Sequence, residues 1–405
     1  MALGSADVRA DVVDILKEEW PEGLEDELLF EGNPGLALIK QKKTSFGGRY
    51  FHQPIMFAKG QGRSASFANA QTNVAGPRYD AFDITVVNNY GVAQLEGLLI
   101  DQVKFGGGED RFIDTVDMRC RAALSTLGDD LNHNFYRNTS GVRAQRASLA
   151  SSTVTLSNAD DIVFIEVDMV LVASASADGT SIRSGTASVT AVDRDAGTFD
   201  FTGTITGFAD NDYLYVQGDP AAKAAGLDAW VPSSAPGATA FYGVDRSVDT
   251  ERLGGVRFTG TGYEPEEMFI QAAARANRSK VKITHWLCHP NYYAQAETAL
   301  QSRGTVELQS PNNPAIGFSG INIAAGGKGG KGVPLIQDPA CQEGVVWGVT
   351  GSTWTWHCLG DSPRKVSEDG LDMLRMPNSD GFEIRFVSRS NWGSSYPGAT
   401  VRCAV

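Results

Sequence analysis

From Glu109 to Tyr136 apolar residues recur every three or four positions, at Ile113, Val116, Cys120, Leu124, Leu127, Leu131 and Phe135. That spacing puts them on one stripe of an α-helix, and at 1.5 Å per residue the segment makes a rod of roughly 42 Å. Such a rod can serve as the backbone of a domain. Glu109 and Asp110 stand at its positive end and Arg137 at its negative end, as the helix dipole prefers. Gly106-Gly-Gly108 separates it from a shorter helical stretch, Glu96 to Lys104.

Upstream, two strand-like runs, Arg49 to Phe57 and Arg63 to Asn69, flank a Gly-Gln-Gly turn at Gly60 to Gly62. Neither is apolar enough to bury itself. An isolated two-stranded ribbon is marginal in water, so this hairpin is expected to lie on another surface, that of a neighbouring subunit. A strand over Arg78 to Val92 follows, with Tyr79, Phe82, Ile84 and Val86 as its inward set. At the start of the chain, Val8, Val12, Ile15 and Leu16 lie at helical spacing behind Ser5 as N-cap, and Pro21 and Gly23 end the helix after Trp20. It reads as an arm, although a helix packed on its own domain has the same pattern.

Between Ser152 and Tyr215 the texture changes. Short strands are expected at Thr153 to Leu156, Val163 to Glu166, Met169 to Ala173, Thr186 to Asp193, Thr198 to Thr202 and Tyr213 to Gln217, with hairpin turns at Asp178-Gly179 and Ala196-Gly197. Strands of this length and spacing predict a small antiparallel barrel or sandwich. Residues 151–230 hold twelve acids against Arg183, Arg194 and Lys223, nine of the thirteen excess negative charges of the chain. Such a module stays in water and repels its own kind, which suits an outward position. It is either a docking site for a partner protein or a solvated inserted domain.

The remainder mixes helix and strand. Glu264-Pro-Glu-Glu opens a helix to about Arg278, Lys280 to Leu287 reads as a buried strand, and Pro290 to Ser302 as a second helix. Pro314 to Val333 reads as a glycine-rich hairpin, and Gly344 to Cys358, Met373 to Met376, Phe382 to Ser390 and Thr400 to Val405 as strands returning to the long helix.

Several chemistries find no support. The net charge of −13 argues against a nucleic-acid-binding surface, since phosphate affinity comes from Lys and Arg displacing counterions. No apolar run approaches the roughly 20 residues that span a bilayer, and no secretory leader pattern opens the chain, so a cytoplasmic setting is expected. Five scattered cysteines read as reduced thiols. His285-Trp-Leu-Cys-His289 holds metal-ligating residue types, but strand alternation sends His285 and Cys288 to opposite faces. Gly326-Gly-Lys-Gly-Gly-Lys-Gly332 lacks the Ser or Thr and the helix of a phosphate loop, and Lys328 and Lys331 read as a basic loop tip. No nucleophile elbow or zinc-protease motif occurs, so no catalytic, cofactor or metal site is assigned.

The segment Asn33-Pro-Gly-Leu-Ala-Leu-Ile-Lys-Gln-Lys-Lys-Thr-Ser-Phe-Gly-Gly-Arg-Tyr50, followed by Gly62-Arg-Ser-Ala-Ser-Phe-Ala-Asn-Ala-Gln71, resembles the start of a tailed-bacteriophage major capsid protein of the Hong Kong 97-like fold. Phe241-Tyr-Gly-Val-Asp-Arg-Ser-Val-Asp-Thr-Glu-Arg-Leu-Gly-Gly-Val256, Gly317-Phe-Ser-Gly320, and Glu368-Asp-Gly-Leu-Asp-Met-Leu-Arg375 before Asp380-Gly-Phe-Glu-Ile-Arg385 agree in order and spacing. The resemblance implies an α+β fold with an N-terminal arm (1–43), an extended loop (44–77), a peripheral domain (78–150) carrying the spine helix 109–136, and an inserted acidic β-barrel-like domain (151–235). An axial domain (236–342) and a return to the peripheral strands (343–405) complete it.

By the same resemblance the partners are other copies, in hexamers and pentamers of an icosahedral head around double-stranded DNA, a portal, and a possible decoration protein on the inserted domain. A chain that opens directly at the arm also implies a separate scaffolding protein. The place is the virion, assembled in the host bacterial cytoplasm, with no membrane partner and no cofactor. Contact candidates are Arg49, Phe51, Phe57, Arg63, Phe67 and Arg78 of the extended loop, Ile15, Leu16 and Trp20 of the arm, and Lys328 and Lys331. Lys59 at the loop tip matches the place where some relatives form an isopeptide cross-link. An encapsulin-like compartment shell shares the fold and is the alternative reading, and a stand-alone hydrolase or carbohydrate-binding protein using the β module is a third.

Overall fold

The computed structural model describes residues 32–44, 49–97, 109–303, 321–323, 332–367, 373–377 and 379–405. These form two compact units: Asn134–Pro232 is one, and the chain before and after it is the other. The calls on the arm, on Glu96 to Lys104 beyond Gly97, and on most of the Pro314 to Val333 hairpin lie outside the described residues.

A one-turn helix, α1 (Pro34–Ala37), precedes β1 (Gln41–Thr44), and a two-stranded ribbon follows, made of β2 (Tyr50–Ala58) and β3 (Arg78–Thr85). A short helix, α2 (Phe67–Thr72), lies between them, and β4 (Val87–Glu96) comes next. This corrects the expected hairpin. Arg63 to Asn69 is not the partner of β2, because it has no alternating apolar residues to face Phe51 and Ile55, whereas β3 supplies Phe82 and Ile84. Helix α3 (Glu109–Tyr136) has the bounds that the periodicity predicts. Val116, Cys120, Leu124, Leu127, Leu131 and Phe135 are each 4% exposed or less, while the Ile113 side chain lies outside the described ones. The helix passes close under β4 at Gly91, where a Cβ would stand 3.3 Å from the Ala123 carbonyl oxygen and 3.7 Å from Leu127 Cβ.

In the unit Asn134–Pro232, six strands close a barrel: β5 (Ala144–Ala150), β6 (Thr153–Leu156), β7 (Val170–Ser174), β8 (Ser184–Asp193), β9 (Thr198–Thr206) and β10 (Tyr213–Val216). Around the barrel the order is β10-β5-β6-β9-β8-β7, with β10 paired to both β5 and β7. Val154, Leu171, Val189, Phe199 and Leu214 fill it. Gly185 (φ +99°) and Gly203 (φ +109°) let β8 and β9 approach, since a Cβ would meet the Thr204 and Thr186 carbonyl oxygens at 2.0 and 2.5 Å. The strand expected at Val163 to Glu166 is absent. Asn158 caps a 3₁₀ turn, Ala159–Phe164, by accepting from the Asp160 N–H at 3.2 Å, and Ile162 and Ile165 turn inward together.

The chain then continues through β11 (Val256–Thr259), α4 (Pro265–Arg278), β12 (His285–Cys288), α5 (Pro290–Arg303), β13 (Ile321–Ile323), β14 (Val333–Gln337) and β15 (Val345–Val349). The last strands are β16 (Trp354–Leu359), β17 (Arg364–Lys365), β18 (Leu374–Arg375), β19 (Gly381–Ser394) and β20 (Val401–Ala404). One sheet runs β1-β16-β19-β17, with β4 and β18 also on β19; the other runs β11-β20-β15-β12-β14-β13. Helix α4 buries Met268, Phe269, Ala272, Ala273 and Ala276 on the second sheet, with the Phe269 and Trp286 rings edge to face at 5.0 Å.

Gly344 to Cys358 is therefore two strands, in two sheets. A 3₁₀ turn at Gly351–Thr353 breaks the run, held where the Gly351 N–H donates to Thr284 Oγ1 at 3.0 Å. The strand expected from Lys280 starts only at His285, because Lys280 takes φ +61° in closing α4.

Asp338, fully buried, ties three parts of this unit together. It accepts from the Gly35 N–H of α1 at 3.0 Å, from Asn132 Nδ2 of α3 at 3.0 and 3.1 Å, and from the Ala340 N–H at 2.9 Å. Each buried donor left unanswered costs about 1–3 kcal/mol. Asp338→Ala is expected to lower the unfolding free energy by about 3–5 kcal/mol in a denaturant titration, and Asp338→Asn, which keeps an acceptor, by less than half as much.

Candidate subunit interface

Along the β2–β3 ribbon, burial changes from complete to almost none. Phe51, Gln53 and Ile55 stand opposite Ile84, Phe82 and Asp80. Phe51, Ile55, Phe82 and Ile84 are all 3% exposed or less. This stem is fixed from several sides. The Phe51 ring stacks on His357 at 5.2 Å, and Phe82 meets the Phe241 ring at 6.4 Å. Asn391 Nδ2 donates to the Thr85 carbonyl at 2.7 Å and to Tyr242 Oη at 3.0 Å. Arg252 donates to the Phe57 carbonyl at 2.6 Å.

Beyond Ala58 the ribbon has no such support. Residues 59–77 are exposed almost throughout, closed on themselves by the Gln61 and Ala75 backbone pair at 2.8 and 3.2 Å. On this distal part Phe67 is 78% exposed and Val74 69%, and at the end of the ladder that leads into it Tyr79 is 67% and Met56 46% exposed. Four large apolar side chains on one projecting element form a surface that burial elsewhere would stabilise, at about 1.5–3 kcal/mol for each side chain fully covered.

The sequence candidates fall into three groups. Arg49, Lys59, Arg63, Phe67 and Arg78 are exposed on the ribbon, and Phe57 is half-buried. Phe51 is a correction: its ring is enclosed by its own chain, against Ile84 and His357, and offers no surface to a neighbour. Ile15, Leu16, Trp20, Lys328 and Lys331 lie outside the described residues. Tyr79 is a second correction, exposed where an inward position was expected, because the core ends at Ile55 and Phe82. Sequence reading missed Met56 and Val74. Met56 stands directly opposite Tyr79, a pairing visible only once β3 is known as the partner of β2.

All five cysteines are free and buried. His285 Nδ1 lies 2.9 Å from Thr284 Oγ1, and Cys288 Sγ donates to the Ile336 carbonyl at 3.8 Å. Among the described residues, no three His, Cys, Asp or Glu side chains are placed to hold a metal ion.

No protein-family model matches the chain, and no curated protein matches it in sequence. Among solved structures, the fold is similar to that in the cyanophage A-1(L) capsid asymmetric unit, with 11% identity over 89% of this chain and 89% of that one and a TM-score of 0.53. Weaker matches, on which nothing rests, are Gordonia phage Cozz (11% identity, 92% of this chain and 86% of that one, TM-score 0.44) and the SrpI encapsulin complex of Synechococcus elongatus PCC 7942 (10%, 100% and 96%, 0.42). At this identity the likeness is one of fold: the chain has an α+β capsid-type fold.

The ribbon stem packs on a titratable group of β16 with a measurable consequence. His357, 4% exposed, has no hydrogen-bond partner at Nε2 among the described residues. Burial, with Lys42 opposite it on β1 adding repulsion, pushes its pKa down to about 4. The folded state thus prefers the neutral ring, so its stability contribution is complete above about pH 6.5 and is lost as pH falls from there towards 4. The loss amounts to about 3 kcal/mol at most. His357→Leu is expected to flatten the fall in melting temperature between pH 6.5 and 4; an unchanged slope would place the acid sensitivity elsewhere.

Proposed function

We propose that the chain is the major capsid protein of a tailed phage with a Hong Kong 97-like fold, self-assembling into hexamers and pentamers of an icosahedral head that encloses double-stranded DNA. The observation that carries this reading is the ribbon: a stem locked into its own subunit, with Met56 and Tyr79 at the end of its ladder and Phe67 and Val74 beyond it uncovered. Its presence on a capsid-type fold similar to that of the cyanophage assembly supports it. In this reading the ribbon with α2 is the extended loop, α3 the spine helix, the closed barrel an insertion after the spine, and the sheet beneath α4 and α5 the axial domain. Arg63 and Arg78 pair with carboxylates of the neighbour, and Phe67 is buried against it. The roles are structural, not catalytic. A shell repeats each contact many times, so a modest interface suffices where its copies add.

Expression of the chain, followed by negative-stain electron microscopy and solution mass, is expected to give closed shells or capsomer-sized rings. Nucleic acid in particles from infected cells supports a phage head, and protein cargo an encapsulin-like compartment. A monomer under all conditions would sink the assembly reading. Because Phe67 is 78% exposed in the single chain, Phe67→Ala is expected to leave subunit stability within about 0.5 kcal/mol of the parent. Particle yield should nevertheless fall at least tenfold.

A further inference from the structure

Charge on the barrel unit is unevenly paired. Asp210, Asp212 and Asp219 are answered by Arg146, Arg183 and Lys223 at 2.9–3.0 Å, with Arg143 at 3.9 Å from Asp219. The end that carries the 3₁₀ turn and the β8–β9 turn is different. Arg194 reaches Glu166 at 2.7 Å and the Ile162 carbonyl at 3.4 Å, which gathers these two connections together. Six carboxylates stand there, on Asp160, Asp161, Glu166, Asp168, Asp193 and Asp195, with the guanidinium groups of Arg194 and of Arg137, 3.6 Å from Asp161. Val163 and Val167 lie among them, about half exposed. This end is an apolar spot with an acidic rim.

The other unit presents the opposite surface. On α4, Ile270, Ala274 and Arg278 follow one another at i, i+4 and i+8, all exposed, with Ile270 53% so. Arg275 lies beside this row, and Lys280 and Lys282 continue it beyond the helix, both exposed. Glu251 lies 3.9 Å from Arg275 and 3.8 Å from Arg278, and Ser279 donates to it at 2.7 Å, while Glu266 and Glu267 stand one turn before Ile270 at the other end of the row. Arg252 and Arg257 stand on the adjoining segment, bonded to the Phe57, Gly254 and Thr250 carbonyls. On a chain of net charge −13, the Arg275–Lys282 end of this face is basic.

We propose that these two surfaces are partners: the acidic end of the barrel of one copy docks on the Arg275–Lys282 face of a second copy. The inference rests on the self-assembly reading and names a contact within it, separate from the ribbon. Each surface supplies the charge the other lacks, which favours encounter in one orientation and rejects like surfaces. A nucleic acid would satisfy the basic face but not the acidic one, and a second copy satisfies both.

The test is a charge swap in the full-length chain. Asp168→Lys with Asp195→Lys reverses the barrel end, and Arg278→Glu with Lys282→Glu reverses the helix face; all four positions are exposed. Each reversal alone is expected to cut the assembled fraction at least tenfold on a density gradient at physiological salt, with the subunit melting temperature unchanged. All four substitutions together are expected to restore at least half of it. Reversals that assemble like the parent, or a fourfold variant no better than either pair, would overturn the contact while parent shells leave the assembly reading standing. A parent chain that never assembles would instead overturn both.

Discussion

The ladder between β4 and β19 is the constraint on which the rest of the larger unit hangs. It joins Val87–Glu96 to Gly381–Ser390 over ten consecutive residue pairs, so the chain is closed on itself from end to end. Ala93, Leu95, Ile384 and Phe386 are buried along it, and Gly91 lets the α3 backbone come up beneath. The same β19 receives β16, β17 and β18, and its Asn391 holds the base of the ribbon through Thr85 and Tyr242. Loop-closure entropy opposes such a pairing, and only the burial and hydrogen bonds of the whole sheet offset it.

From that base the ribbon inherits its character. A stem enclosed by Phe51, Ile55, Phe82 and Ile84 fixes the direction in which the distal part projects, while the distal part contributes little to the stability of its own subunit. The two properties belong together on the proposed reading. A contact element that folded only on binding would lose part of its interaction free energy to ordering, whereas one rooted in a packed sheet presents its side chains already placed.

What was legible in the sequence was local. The 3.6-residue repeat set α3 to the residue, and Pro265 with Glu266 and Glu267 marked the start of α4. The barrel strands were found where turn residues bounded them, apart from β5 and the 3₁₀ turn, where Asn158 capping overrode a strand-like run. The pairing of β2 was misread because Gly60 and Gly62 look like a hairpin turn, and the choice of partner depends on which strand can face Phe51 and Ile55 across a sheet. That information is tertiary. The exposed row on the ribbon was half legible: Phe67 stood out as an aromatic among small polar residues, but Met56 and Tyr79 become neighbours only through the β2–β3 register. The charge of the barrel is legible in sequence as a total and not as a distribution, since only the fold shows which acids have an arginine beside them.

Closure of the barrel bears on how it can associate. Every one of its six strands is paired on both sides, so no edge is left for a neighbour to extend by strand addition, and contacts must be made by side chains at its surface. In the other unit, among the described residues, β11 is paired to β20 alone and its second backbone edge has no strand on it. The proposed association through the barrel end would therefore be electrostatic in large part and weaken as salt shortens the screening length from about 10 Å at 0.1 M to about 3 Å at 1 M. The proposed association through Phe67, Val74 and Tyr79 would be apolar and persist. Two contacts of opposite salt response on one subunit would let assembly proceed in separable steps, with the apolar ribbon holding what the charged surfaces first orient.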